Sequence, residues 1–218
     1  KRALLDSGMH VPLLIRFPKK WQRLAPGKPG STTDRLVSFV DYAPTVLNLL
    51  GHPIPEAMQG EPFLGPDAAA PRRYVYGHRD RVDEVRDLAR SVRDRRYLYI
   101  RNYMPHKIYG QFISYMFKTP TTRIWHEMYH AGKLNESQSK FWQTKPAEEL
   151  YDLKNDRDEV NNLAKSKEHR DALRRLRQAH VKWVKDVRDI GFLPEDEIHT
   201  RSKNDSPYEM GQNANRYD

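Results

Sequence analysis

The sequence predicts an α/β protein, and three observations carry that prediction. Four short segments rich in β-formers, residues 74–78, 89–93, 97–100 and 149–153, are separated by charged turns or irregular stretches. Residues 41–51 carry helix start and stop signals around an apolar face. Between residues 167 and 189, apolar side chains recur at spacings of three and four. At 218 residues with 38% apolar side chains, the chain can bury one good core or two small ones. Its 31% charged residues imply a wide wet surface.

Taken in chain order, Val11-Pro12-Leu13-Leu14-Ile15-Arg16-Phe17 reads as a buried strand stopped by Pro18, followed by a Pro/Gly/Ser/Thr loop over 25–33. In the next segment Pro44 suits a first helical turn, Asp41 stands close enough to cap it, and Gly51 suits the helix end. Val46, Leu47, Leu49 and Leu50 supply the apolar face of that helix. Asp94-Arg95-Arg96 forms a tight hairpin between the second and third strand candidates. Residues 103–146 are aromatic and irregular, with short helices expected around 122–131 and 136–142. The long helix at 167–189 turns Leu173, Leu176, His180, Trp183, Val184 and Val187 to one side. Residues 191–218 are assigned as an extended tail, because they become polar and short of aliphatics from Thr200 onward.

A formal charge of +9 favours anionic partners: nucleic acid, acidic lipid, or sulfated or carboxylated polysaccharide. Arg170, Arg174, Arg175, Lys182 and Lys185 fit the solvated face of a packing helix better than a nucleic-acid-reading one. No run of eighteen apolar residues exists, so no membrane-spanning helix is predicted. The absence of cysteine excludes disulfides, zinc thiolates and a thiol nucleophile within these residues. No GxSxG elbow, P-loop, GxGxxG or HExxH occurs. His126 and His130 share i,i+4 spacing, but with no evident third ligand they read as a surface pair.

Two stretches can hold binding chemistry. Gly77-His78-Arg79-Asp80-Arg81-Val82-Asp83-Glu84-Val85-Arg86-Asp87 follows a strand directly. It is either an anion-binding loop, with arginine forks for sulfate or carboxylate, or an internally paired charge network. Tyr103-Met104-Pro105-His106-Lys107-Ile108-Tyr109-Gly110-Gln111 offers rings to stack on sugars, and His106 and Lys107 for acidic groups. Its alternative role is to fasten a long loop to the core.

Four stretches together resemble type I, formylglycine-dependent sulfatases, in their carboxyl-terminal portion. Lys1-Arg2-Ala3-Leu4-Leu5-Asp6-Ser7-Gly8-Met9-His10-Val11-Pro12-Leu13 is similar to a family segment ending in Arg-Val-Pro before a strand. Asp41-Tyr42-Ala43-Pro44-Thr45 through Gly51 resembles the family's Asp-x-x-Pro-Thr helix. Arg90-Ser91-Val92-Arg93 with Arg96-Tyr97-Leu98-Tyr99-Ile100 resembles its closing hairpin. Glu149-Leu150-Tyr151-Asp152-Leu153, Asp156, Glu159 and Asn162-Leu163-Ala164 resemble its terminal signature. The whole pattern is most similar to bacterial sulfatases related to heparan N-sulfatases.

The resemblance implies that residues 1–70 hold the last strand and helix of an alkaline-phosphatase-like sulfatase domain. Residues 71–190 then form a small α+β subdomain, a four-stranded antiparallel sheet packed by a terminal helix. The implied reaction is hydrolysis of sulfate esters or sulfamates of a sulfated polysaccharide or oligosaccharide. In the family a formylglycine attacks sulfur, and a calcium ion neutralises the sulfate oxygens. The formylglycine motif is absent here, and the calcium ligands would fall upstream, so these residues alone are expected to be inactive without an N-terminal sulfatase portion. Lys1 matches a basic residue that contacts sulfate in the family, the one catalytic position carried over. His78, Arg79, Asp80 and Arg81 are the substrate-binding residues the resemblance implies, and His106 joins them from the reading of the 103–111 stretch. His10 stands where the family has Arg, and Leu5 where an aromatic is common. The sequence has no initiating Met or export signal and reads as the continuation of a longer chain, periplasmic or secreted by family. A non-catalytic basic module for anionic polysaccharide or nucleic acid is the alternative, with nucleic acid the less favoured ligand.

Overall fold

A computed structural model describes residues 3–213, which divide into two compact units. In chain order the elements are α1 (Asp6–Met9), α2 (Tyr42–Leu50), β1 (Val75–Arg79), β2 (Ala89–Arg93), β3 (Tyr97–Asn102), α3 (Ser114–Phe117) and α4 (Pro120–His130). They continue with α5 (Glu136–Ser139), β4 (Glu148–Asp152), α6 (Arg170–Asp186), α7 (Glu195–Arg201) and α8 (Pro207–Gln212).

One unit comprises His10–Tyr76 and Arg93–Arg96. Its helix α2 ends where Gly51 turns left-handed at φ 71°, and the N–H groups of Gly51 and His52 close onto the carbonyls of Asn48 and Leu47. Pro44, Thr45 and Asn48 are the buried side chains, whereas Val46 and Leu50 are exposed. The helix turns polar groups inward because they serve the loop beneath it. Thr45 accepts from Phe63 N at 3.0 Å, and Asn48 donates to the Leu64 carbonyl at 2.9 Å. Asp41 does not cap α2 with its side chain. Its buried carboxylate instead accepts from the N–H groups of Ser38 and Glu61 and from the Arg72 guanidinium. Residues 11–17, expected as a buried strand, form no strand or helix, and Leu14 is 87% exposed. A strand needs a neighbour for its N–H and C=O groups, and this run has no ladder among the described residues.

The other unit takes in the described residues up to Met9, Gly77–Val92 and those from Tyr97 onward. It is built on a four-stranded antiparallel sheet in the order β1-β2-β3-β4. β3 and β4 pair with Tyr97 opposite Asp152 and Arg101 opposite Glu148. This register puts Leu98, Ile100 and Tyr151 on one face, where Leu4, Ala89, Leu5, Met9 and Leu153 complete a core. Tyr99 and Leu150 point to the other face, toward α6, whose His180 ring meets Tyr99 at 5.9 Å. Leu173 and Leu176 are buried from α6, each contributing roughly 1.5–3 kcal/mol.

The strand expectations shift by no more than two residues at any end, and the long helix is shorter than expected at both ends. Asp94 closes the predicted hairpin by accepting from Arg96 N at 2.7 Å. The expected extended tail is not what forms. α7 and α8 occupy it, Met210 is fully buried, and a Cβ on Gly211 would meet Ile190 at 2.8 Å. Ser206 and Glu209 form a capping box at the start of α8, with Pro207 in its first turn.

Candidate functional site

β1 sets the geometry of the first candidate loop. Its alternation buries Gly77 and Arg79 and exposes His78. Gly77 leaves room for two side chains: a Cβ there would stand 2.3 Å from Met9 Cε and 2.6 Å from Ser91 Oγ, so both would have to shift. Arg79 thus points inward, and its Nε donates to Asp87 Oδ2 at 3.1 Å.

Asp87 also accepts from Lys145 Nζ through both oxygens, and all three side chains are buried. Burial lowers the Lys145 pKa, against the opposing pull of Asp87. The Lys145 backbone N–H donates to the Pro105 carbonyl at 3.1 Å, and its ammonium lies 5.5 Å from the Tyr109 ring. Next along is the buried Glu149, which accepts from Tyr109 Oη, from Tyr151 Oη at 2.5 Å and from Asn102 at 2.6 Å. Burial, then Glu149, pushes both tyrosine pKa values up, so these phenols stay protonated donors.

A second buried cation sits beside this network. Arg90 forks onto Asp189 at 2.5 and 2.9 Å and reaches Asp80 Oδ1 at 2.8 Å. The same Nη1 that reaches Asp80 also lies 2.9 Å from the Ala89 carbonyl and 3.3 Å from that of Arg79, and the Phe192 ring lies 5.5 Å away. Burial opposes its charge, yet the hydrogen bonds it donates to Asp189 and Asp80, with the charge of those carboxylates, outweigh that and hold the pKa above the ordinary value.

The loop tip turns at Asp83, with φ 51° between the bridged Val82 and Val85. Glu84 accepts from Ser114 N at 2.5 Å, and Gln111 donates to the Arg86 carbonyl at 3.4 Å. The two stretches singled out in the sequence, 77–87 and 103–111, are therefore held side by side.

Of the sequence-derived binding residues, the structure separates two groups. Arg79 is buried in its ion pair, and Asp80 is engaged by Arg90. His78, Arg81 and His106 are exposed, with Arg81 meeting Glu195 of α7 at 2.9 Å. Lys1 lies outside the described residues. Sequence reasoning missed Lys145, Glu149 and Asp189 as parts of this region, and did not single out the exposed Arg86 within the 77–87 stretch. Only the charge of Lys145 and Glu149 within an aromatic stretch hinted at buried pairing.

Exposed cations on a framework whose buried charges are already matched can receive an anion without breaking the fold. For calcium the fit is poor. Among the described residues no three His, Asp or Glu side chains converge as a metal site requires.

The family described as N-sulphoglucosamine sulphohydrolase, C-terminal, matches residues 1–112. An ulvan-active sulfatase of Formosa agariphila is 39% identical over 208 residues, covering 94% of this chain and 34% of the relative. A second ulvan-active sulfatase of that organism is 32% identical over 202 residues, covering 87% and 36%. The chain thus spans about a third of the length of these relatives. A solved 2-O GAG sulfatase aligns at TM-score 0.49 and 21% identity over 73% of this chain and 27% of its own.

Proposed function

We propose that this chain, which belongs to the sulfatases through the N-sulphoglucosamine sulphohydrolase C-terminal family, is the carboxyl-terminal portion of an enzyme that desulfates a sulfated glycan. The bond broken is a sulfate ester or a sulfamate. Formylglycine and calcium are assigned to an N-terminal sulfatase portion, with Lys1 as the contact this chain makes to the transferred group. Such an enzyme works in the periplasm or outside the cell.

The observation that carries this reading is the buried Asp87, shared by Arg79 and Lys145. It joins the two loops, and His78, Arg81, Arg86 and His106 remain exposed on them. Arginine forks and imidazole N–H donors of this kind suit sulfate and carboxylate groups on a polymer. Similarity to about a third of an ulvan-active sulfatase, over 94% of this chain, makes ulvan one substrate to try. In this reading the exposed Leu14, Val46 and Leu50 are surface that the N-terminal portion covers.

The test measures sulfate released from a panel of sulfated polysaccharides, ulvan and heparan types included. This chain alone should release none, and the same chain continued upstream of Lys1 should release sulfate from at least one. Salt-sensitive binding by both forms, with hydrolysis by neither, would favour the non-catalytic basic module.

A further inference from the structure

His126 and His130 lie one turn apart on α4, and their Nε2 atoms are 2.9 Å from each other. The geometry points to a two-histidine site for a divalent transition-metal ion, of the copper(II) and nickel(II) class. Both nitrogens converge, so an ion between them binds each through its lone pair.

The bite distance selects the ion. With metal–nitrogen bonds of about 2.0–2.1 Å, nitrogens 2.9 Å apart subtend about 90° at the metal. Tetragonal and square-planar ions place neighbouring ligands at that angle. A tetrahedral ion, at about 109°, needs the nitrogens about 3.3–3.4 Å apart.

The rings are positioned by packing rather than by chance. His126 stands at 4.8 Å from Trp142 and 5.3 Å edge-on to Phe117, and its own ring meets His130 at 87°. Trp125 stacks on Phe141 at 4.7 Å and fixes the same helix from the adjacent position. His130 is exposed, so an ion can enter from solvent. No third His, Asp or Glu joins the pair among the described residues, and the remaining positions fall to water or to an external ligand. Borderline-soft imidazole donors disfavour calcium, so this site is separate from the chemistry that the family implies.

The competing arrangement is a direct hydrogen bond, one neutral ring donating Nε2–H to the other. Titration of the full chain with Cu²⁺, Ni²⁺, Zn²⁺ and Ca²⁺ at neutral pH separates the two. Copper is followed by electron paramagnetic resonance and the others by calorimetry. One copper should bind per chain with two nitrogen couplings, nickel and zinc more weakly, and calcium not at all. His130→Ala should weaken copper binding by about a hundredfold, the order gained when a second ligand is held in place. His126→Ala should do the same, and His106→Ala should change nothing. Copper binding that survives His130→Ala, or that falls equally in His106→Ala, would overturn the site.

Discussion

Glu159 accepts the backbone N–H of Asp6 through both carboxylate oxygens, at 2.9 and 3.0 Å, across 153 residues of sequence. That contact fastens the start of α1 to the loop after β4, beneath the core that Leu4 and Tyr151 share. Glu159 sits at φ 55°, a left-handed conformation rare for a side chain of this size. Burial raises its pKa from 4.5 to about 7, aided by Asp6 and Glu149 and opposed by the Asp6 N–H.

A pH dependence follows. A carboxyl whose folded pKa is raised contributes stability fully present below its unfolded value, near 4.5, and lost as pH rises through about 7. Glu159→Gln keeps the shape without the charge. It should match the parent near pH 4 and be the more stable by about 1–3 kcal/mol near pH 8. Denaturant unfolding across that range checks it; parallel curves for the two proteins would refute it.

Asp87→Asn leaves Arg79 and Lys145 buried without their counter-charge. The expected loss is about 3–5 kcal/mol. Lys145→Met leaves the Arg79–Asp87 pair and the backbone bond to Pro105 intact and removes the ammonium from Asp87 and from the Tyr109 ring, so it should cost less, about 1–3 kcal/mol. Urea unfolding of both variants gives the ranking, and the reverse order would contradict the network.

Arg90→Lys keeps the charge but loses the fork onto Asp189. Thermal unfolding should fall by the equivalent of about 2–4 kcal/mol. Asp80→Asn should cost less than half of that, because Asp80 is 38% exposed at its side chain and solvent screens it. Equal losses would mean that Asp189 is not the main partner.

The sheet was legible because its strands are dense in β-formers and bounded by charged turns, as at Tyr97, Leu98, Tyr99 and Ile100. The α6 face was legible from Leu173, Leu176 and His180. Long-range ion pairs were not. Arg90 and Asp189 stand 99 residues apart, and nothing local distinguishes that aspartate from the others. Asp87 and Lys145 meet across 58 residues for the same reason. The alternative raised for 77–87, a paired charge network, describes Arg79 and Asp80, whereas Arg81 makes only an exposed pair with Glu195 and His78 is exposed. An apolar run such as 11–17 reveals strand composition but not whether a neighbouring strand exists to pair with it. At the other end the signal was present and unused: Ser206, Pro207 and Glu209 spell a helix start.

The surface of the joined loops gives the most direct test. The parent and a His78→Ala/Arg81→Ala variant are compared in the protein extended upstream of Lys1, by kcat and KM for sulfate release from ulvan or another accepted polysaccharide. A small aryl sulfate that cannot reach the loops serves as reference. Both side chains are exposed, so stability should stay within about 1 kcal/mol of the parent. KM for the polymer should rise about 10- to 100-fold, with the aryl sulfate unaffected, as expected for lost charge-assisted contacts. Unchanged polymer kinetics, or an equal loss on both substrates, would contradict a substrate-facing role for these loops.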